Sequence, residues 1–224
     1  MLYSFPKQAE YGKMIPKNKI YEHADVNTAT KDKFVAQIDK IIWQYKLAPE
    51  TINLQATNTV AEIQVFDIKL KVKEIDETLL RIIDKAIPFP IFFQIYRNDE
   101  VKVRAAYKRP SDGDKNKWVV ESYFESEWMD IDTLKEPLPV ALDMGKLYDL
   151  MIQSLIPIEF NVNVLECSIK NHVDRIEMIK AKEREYTKLK AKRDKEKQFN
   201  RKAEFNAHLK NIKKELDEMK QSNA

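Results

Sequence analysis

Between Asn161 and Ala224 the chain has neither glycine nor proline. Its large apolar residues there, Leu165, Ile169, Ile176 and Ile179, then Phe205, Leu209, Ile212, Leu216 and Met219, step mostly by three, four or seven. Such spacing writes one narrow apolar stripe along a helix, the pattern of a coiled coil. A stripe this narrow needs a partner helix to bury it. Residues 187–202, between the two apolar blocks, hold eight basic and two acidic side chains, with Leu189 and Phe199 the only large apolar ones. Two arrangements stand as equal alternatives: one continuous helix of roughly 80–90 Å paired in trans, or an antiparallel hairpin turning near Gln198–Asn200.

Charge is distributed as unevenly as hydrophobicity. Residues 170–224 carry 17 Lys and Arg against 10 Asp and Glu, a net of +7, which leaves −4 for the rest of a chain whose total is +3. Clustered cations on a helix suit nucleic-acid phosphates, because they gain affinity by displacing condensed counterions. Nothing resembles a zinc finger or an aromatic base-stacking platform, so base reading is not implied. The plainer alternative is a solvated or protein-binding face with acids at helical spacing, such as Glu183 with Lys180 and Glu196 with Lys192. That face is preferred to direct DNA contact.

The 224 residues are 43% hydrophobic and 33% charged, against roughly 25% charged in ordinary globular domains. A body at 1–160 with an irregular N-terminal arm, followed by a basic helical arm at 161–224, accommodates both figures. No run approaches ~18 consecutive apolar residues, and the opening residues lack a signal peptide's apolar stretch. A cytoplasmic protein with no membrane association is therefore expected. Cys167 is the only cysteine and cannot form an internal disulfide, which fits a reducing compartment.

Several chemistries are excluded by what is missing. Three glycines, Gly12, Gly113 and Gly145, are too few and too scattered for a phosphate-cradling loop. His23, His172 and His208 lie far apart, and no metal-ligand spacing occurs. Cys167 and His172 fall five apart in a helical stretch, which points them away from each other, so Cys167 reads as a small buried apolar residue. No metal and no small-molecule cofactor is expected.

In the body, Phe34, Ile38, Ile41, Ile42 and Tyr45 recur by three and four, predicting an amphipathic helix from Lys31 to Leu47 with Thr30 as N-cap. Residues 60–72 alternate, with Phe66, Ile68, Leu70 and Val72 on one face and Asp67, Lys69 and Lys71 on a solvated one. Asp76 caps a second helix to Ile87, ended by Pro88. Strands follow at 91–97, 100–108 and 117–126, then a proline-stiffened loop at 136–143 and a helix at 144–155 capped by Asp143. The expected fold is α+β: a mainly antiparallel sheet in β-α-β-β-β order with helices over one face.

Two constellations invite an enzymatic reading. Asp67 and Lys69 share a strand face, as a metal-dependent nuclease requires, but a second acid is missing: Glu62 has the wrong parity and Asp84 would have to arrive from the next helix. Glu121, Glu125, Glu127, Asp130 and Asp132 form an acidic run, read as surface solubility. A second basic surface is drawn from Lys13, Lys17, Lys19, Lys108 and Arg109.

The strings YGKMIPKNKIYEH (11–23), WQYKLAPETINL (43–54), EIQVF (62–66), IDKAIPFP (83–90), AAYKRP (105–110), KWVVESYF (117–124), EPLPVALD (136–143) and KEKQFNRKAEFNAHL (195–209) resemble a bacterial and archaeal family known only as a domain of unknown function. The likeness spans nearly the whole chain. It carries no catalytic residue onto any position. Through neighbouring genes for DNA methyltransferases and helicase-like restriction subunits, it implies an accessory part in restriction–modification or phage defence.

The reading is a non-enzymatic subunit whose body docks on a protein partner, a methyltransferase or helicase subunit, and whose arm bridges to a partner or to DNA. Lys188, Lys190, Lys192, Arg193, Arg201 and Lys202 would face phosphates or an acidic partner, while Phe205, Leu209, Ile212 and Leu216 form the packing seam. The alternatives are a nuclease using Asp67 and Lys69, and a self-assembling coiled-coil homodimer.

Overall fold

The computed structural model describes residues 2–24, 26–111, 113, 118–157 and 169–221. Two compact units divide the chain, Met1–Ile156 and Pro157–Ala224. The first contains β1 (Tyr3–Ser4), a 3-10 turn (Lys7–Ala9), β2 (Glu10–Met14), α1 (Lys17–His23), α2 (Thr28–Gln37), β3 (Ile38–Leu47), α3 (Pro49–Ile52) and β4 (Ile63–Leu70). It continues with α4 (Glu77–Ala86), β5 (Ile91–Arg97), β6 (Glu100–Pro110), β7 (Trp118–Glu125), β8 (Met129–Asp130), β9 (Glu136–Pro137) and α5 (Met144–Gln153). The second unit holds α6 (Ile169–Lys195) and α7 (Phe199–Gln221).

The α+β reading is correct: the main sheet runs β2-β3-β4-β5-β6-β7, with β8 pairing β6. All neighbours are antiparallel except β4 and β5, where Phe66 lies opposite Phe93 in a parallel register. A parallel pair needs a crossover, and α4 supplies it. The β5–β6 turn is Asn98-Asp99, with Asn98 in the left-handed region at φ 49°, a conformation asparagine tolerates. Asp76 caps α4 by accepting from Thr78 N at 2.9 Å, and Asp143 caps α5 by accepting from Lys146 N at 2.8 Å.

Period two decides which face each strand residue covers. Phe66, Ile68, Ile91, Phe93 and Ile95 turn toward Leu79, Leu80 and Ile83 of α4, with Phe34 of α2 and Ile20 of α1 completing that core. Phe92, one residue out of step, turns to the other face, where its ring lies 6.1 Å from that of Tyr148 on α5. Helices therefore cover both faces, whereas the sequence reading placed them on one. The first half of β4, Ile63 to Phe66, is accordingly buried on both sides.

The predicted helix over 31–47 is half strand. α2 starts earlier, capped by Asn27 rather than Thr30, and stops at Gln37, where β3 begins. Two register shifts in β3, between Ile38 and Lys40 and between Trp43 and Tyr45, explain the misleading spacing. A bulge adds one residue and breaks the alternation, so Ile38 and Ile41 reach the same core three positions apart. Residues 1–30 are less irregular than expected. β2 pairs the edge of β3 with Gly12 at φ 61° beside a register shift, and Ile20 enters the core.

Candidate interface on the helical hairpin

The second unit is a hairpin, which resolves the two sequence alternatives in its favour: α6 and α7 pack together along Ile179, Ile212 and Leu216, with Tyr186, Leu189 and Met219 partly buried beside them. Of the four seam residues drawn from sequence, Leu209, Ile212 and Leu216 are buried and Phe205 is half-buried. Leu165 and Cys167 lie outside the described residues.

No breaker residue makes the turn. The Glu196 carboxylate accepts from Lys197 N at 2.8 Å and Gln198 N at 2.9 Å, offering the backbone a local alternative to the next helical turn. The turn therefore spans 196–198, at the start of the expected Gln198–Asn200 stretch, and Glu196 holds it instead of pairing with Lys192. Glu183 likewise pairs not with Lys180 but across the hairpin, with Lys220 at 2.7 Å. Lys182 reaches Glu215 at 2.8 Å, and the Arg175 guanidinium donates to the Met219 carbonyl.

These bonds divide the arm's cations into two sets. Toward the open end, Lys182 and Lys220 are neutralised across the helices. Toward the turn, Lys188, Lys190, Lys192, Arg201 and Lys202 are exposed, and among the described residues none of them has an ion-pair partner. Arg193 is the exception, half-buried and paired with Asp194 at 2.5 Å. Lys192 and Arg193 also sit in the last turn of α6, where a cation complements the helix's own carbonyls. Lys188 and Lys192, one turn apart, face His208 across a shallow groove of about 460 Å³ floored by Leu189 and Ile212.

The body's constellations come apart. Asp67 lies on the sheet face opposite Phe66 and Ile68, while Asp84 stands on α4 over the face those two line. The second acid that a nuclease would need is thus on the wrong side of the sheet. Asp67 is not solvated as expected. Burial pushes its carboxyl up to about 6 against the pull of Lys135 and Lys69, and its Oδ1 has no hydrogen-bond partner among the described residues. In the acidic run, Glu121 accepts from Arg109 Nε at 2.6 Å and Glu125 pairs with Lys102 and Arg104 at 3.3 Å.

The second basic surface is not formed. Lys108 is buried and donates to the carbonyls of Asp84, Ile87 and Phe89, closing the C-terminal end of α4. Tyr123 donates to Asp84 Oδ2, and the Tyr148 hydroxyl accepts from Lys108 N at 2.7 Å and donates to Ala106 O at 3.0 Å. Lys17 donates to Ile38 O at 2.6 Å and Lys19 pairs with Glu22 at 2.8 Å. Sequence reasoning missed this cluster, although three of the strings quoted above, around Asp84, Lys108 and Tyr123, converge on it.

Among the described residues no three His, Cys, Asp or Glu side chains gather as a cation site, and no helix is long and apolar enough to cross a membrane. The model of a family described as a domain of unknown function (DUF4391) matches residues 4–216. No curated protein matches, and no solved structure does.

Proposed function

The chain belongs to the DUF4391 family, and we propose that it is a non-enzymatic accessory subunit of a DNA restriction–modification or phage-defence assembly. It binds a protein partner, a methyltransferase or helicase subunit, and duplex DNA through the turn end of its hairpin. One observation carries the reading: Lys182 and Lys220 are neutralised across the helices, while toward the turn Lys188, Lys190, Lys192, Arg201 and Lys202 are exposed and, among the described residues, in no ion pair. Free, exposed lysines release condensed counterions when they meet phosphates, whereas paired ones first lose their carboxylates. The genetic setting rests on the family resemblance.

The test is duplex-DNA binding by the full chain over a range of salt, with Lys188→Glu, Lys190→Glu and Lys192→Glu combined. Each lost phosphate contact removes about 0.9 from the log–log salt slope, so the triple variant should bind at least about tenfold more weakly with a visibly shallower slope. Equal binding by parent and variant would remove DNA from the proposal. Recovery of a methyltransferase or helicase in stoichiometric amount with the tagged chain, after nuclease treatment and a high-salt wash, supports the protein half.

A further inference from the structure

Residues 131–143 form a strap that leaves three large apolar side chains almost fully exposed: Leu134 is 88% exposed, Val140 96% and Leu142 90%. The strap is not a slack loop. Ile131 N donates to Asp99 O at 2.9 Å and Glu136 N to Leu2 O at 2.8 Å. β9 pairs β1 in parallel, and Gln55 bridges Asp143. Pro137 and Pro139 stiffen the segment between these anchors. Val140 and Leu142 follow directly on this stiffened segment, just before the Asp143 anchor. Their exposure is thus fixed by the fold.

The strap is also acidic. Glu127, Asp130, Asp132, Glu136 and Asp143 stand in or beside it against Lys135 alone, and among the described residues none of the five carboxylates is in an ion pair. The complementary chemistry, an exposed apolar side chain flanked in sequence by cations that are in no ion pair among the described residues, occurs at the hairpin turn. There Phe199 is 83% exposed with Lys197, Arg201 and Lys202 beside it in sequence.

We propose that the strap is a docking surface for a second copy of this chain, whose hairpin turn it receives, Phe199 against Val140 and Leu142 and the flanking cations against the strap's acids. The contact joins two different surfaces, so association is head-to-tail, closing where two or more copies complete a ring and extending with concentration otherwise. It uses the cations that the functional reading gives to DNA, yet does not depend on that reading.

Sedimentation velocity of the full chain tests it. At about 50 mM salt the weight-average coefficient should rise with concentration, and at about 500 mM it should fall toward the monomer, because screening shortens the reach of the charges. Val140→Ser with Leu142→Ser, and separately Phe199→Ser, should each weaken self-association at least about tenfold. All three positions are exposed, so circular dichroism should be unchanged. The strap variant should bind duplex DNA as the parent does. A coefficient flat with concentration would overturn the proposal and leave the strap to another protein. Association that survives both variants would also overturn it and point to a hairpin-to-hairpin contact.

Discussion

Lys108 Nζ lies 3.9 Å from Asp84 Oδ1, and both side chains are 1% exposed. The pair ties the last part of β6 to the end of α4, with the Tyr123 hydroxyl from β7 on the second carboxylate oxygen. Burial pushes Asp84 up to about 7, against the pull of Lys108 and the Tyr123 hydrogen bond, and pushes Lys108 down to about 8 against the pull of Asp84. Each group holds its charge at a desolvation cost, and the three carbonyls around Lys108 offset part of it.

Stability should therefore depend on pH through this pair. A carboxyl whose folded pKa is raised favours the folded state at low pH, and the benefit is lost as pH rises from about 4 through about 7. Lys108, lowered in the fold, acts oppositely above about 8, where the folded amine has released a proton that the unfolded one keeps until its ordinary 10.5. Parent and Asp84→Asn unfolded in urea from pH 4 to 9 should diverge. Relative to the variant, the parent should lose on the order of 2–4 kcal/mol between the ends of the first window. Parallel pH profiles would mean that Asp84 does not titrate there.

Lys108→Met should cost about 3–5 kcal/mol, since it strips a buried carboxylate of its cation and three carbonyls of their donor. Adding Asp84→Asn should return part of the loss, because no uncompensated charge remains. Urea midpoints of the two single variants and the double variant close the cycle; strictly additive losses would show that the two side chains do not act as a pair.

Ile212→Ala or Leu216→Ala removes a buried seam residue of the hairpin and should cost it about 2–3 kcal/mol. Phe205→Ala, half-buried, should cost under about 1 kcal/mol. Helical signal at 222 nm during thermal melts reads the difference. Equal losses would place Phe205 deeper in the seam than its exposure indicates.

Asp67→Asn should stabilise the body at neutral pH. Its carboxyl, raised to about 6, ionises against burial and leaves Oδ1 without a donor among the described residues. An amide carries no such penalty, so a gain of about 1–2 kcal/mol is expected at pH 7–8, shrinking as pH falls below about 6. Duplex DNA incubated with the chain and Mg²⁺ should stay intact. Cutting that disappears in Asp67→Ala would make the aspartate catalytic and reverse the functional reading.

What could be read in advance was whatever local pattern controls. β4 to β7 form where the β-rich runs stand in the sequence, and Asp76 and Asp143 cap the helices their side chains announce. β3 was hidden because its two bulges convert a period of two into steps of three, which only the pairing with β4 reveals. Lys108 looked like a surface cation because the carbonyls that receive it come from a helix end about twenty residues earlier, a tertiary meeting with no local trace. On the arm, apolar spacing marked the seam, but the sorting of its cations depends on which carboxylates lie across the hairpin. Lys220 with Glu183 is a partnership between helices, invisible to counting along either one.

The hairpin's thin seam has a dynamic consequence. Among the described residues, Ile179, Ile212 and Leu216, with buried Leu209 and a few partly buried neighbours, line the seam of α6 and α7, while the strands of the body share a core closed on both faces. The two should open with very different free energies, and amide hydrogens of α6 and α7 around the turn should exchange with solvent well before those of β4 and β5. An element that separates and re-pairs while the sheet stays folded meets its partner as an ensemble, and the partner selects the geometry it binds.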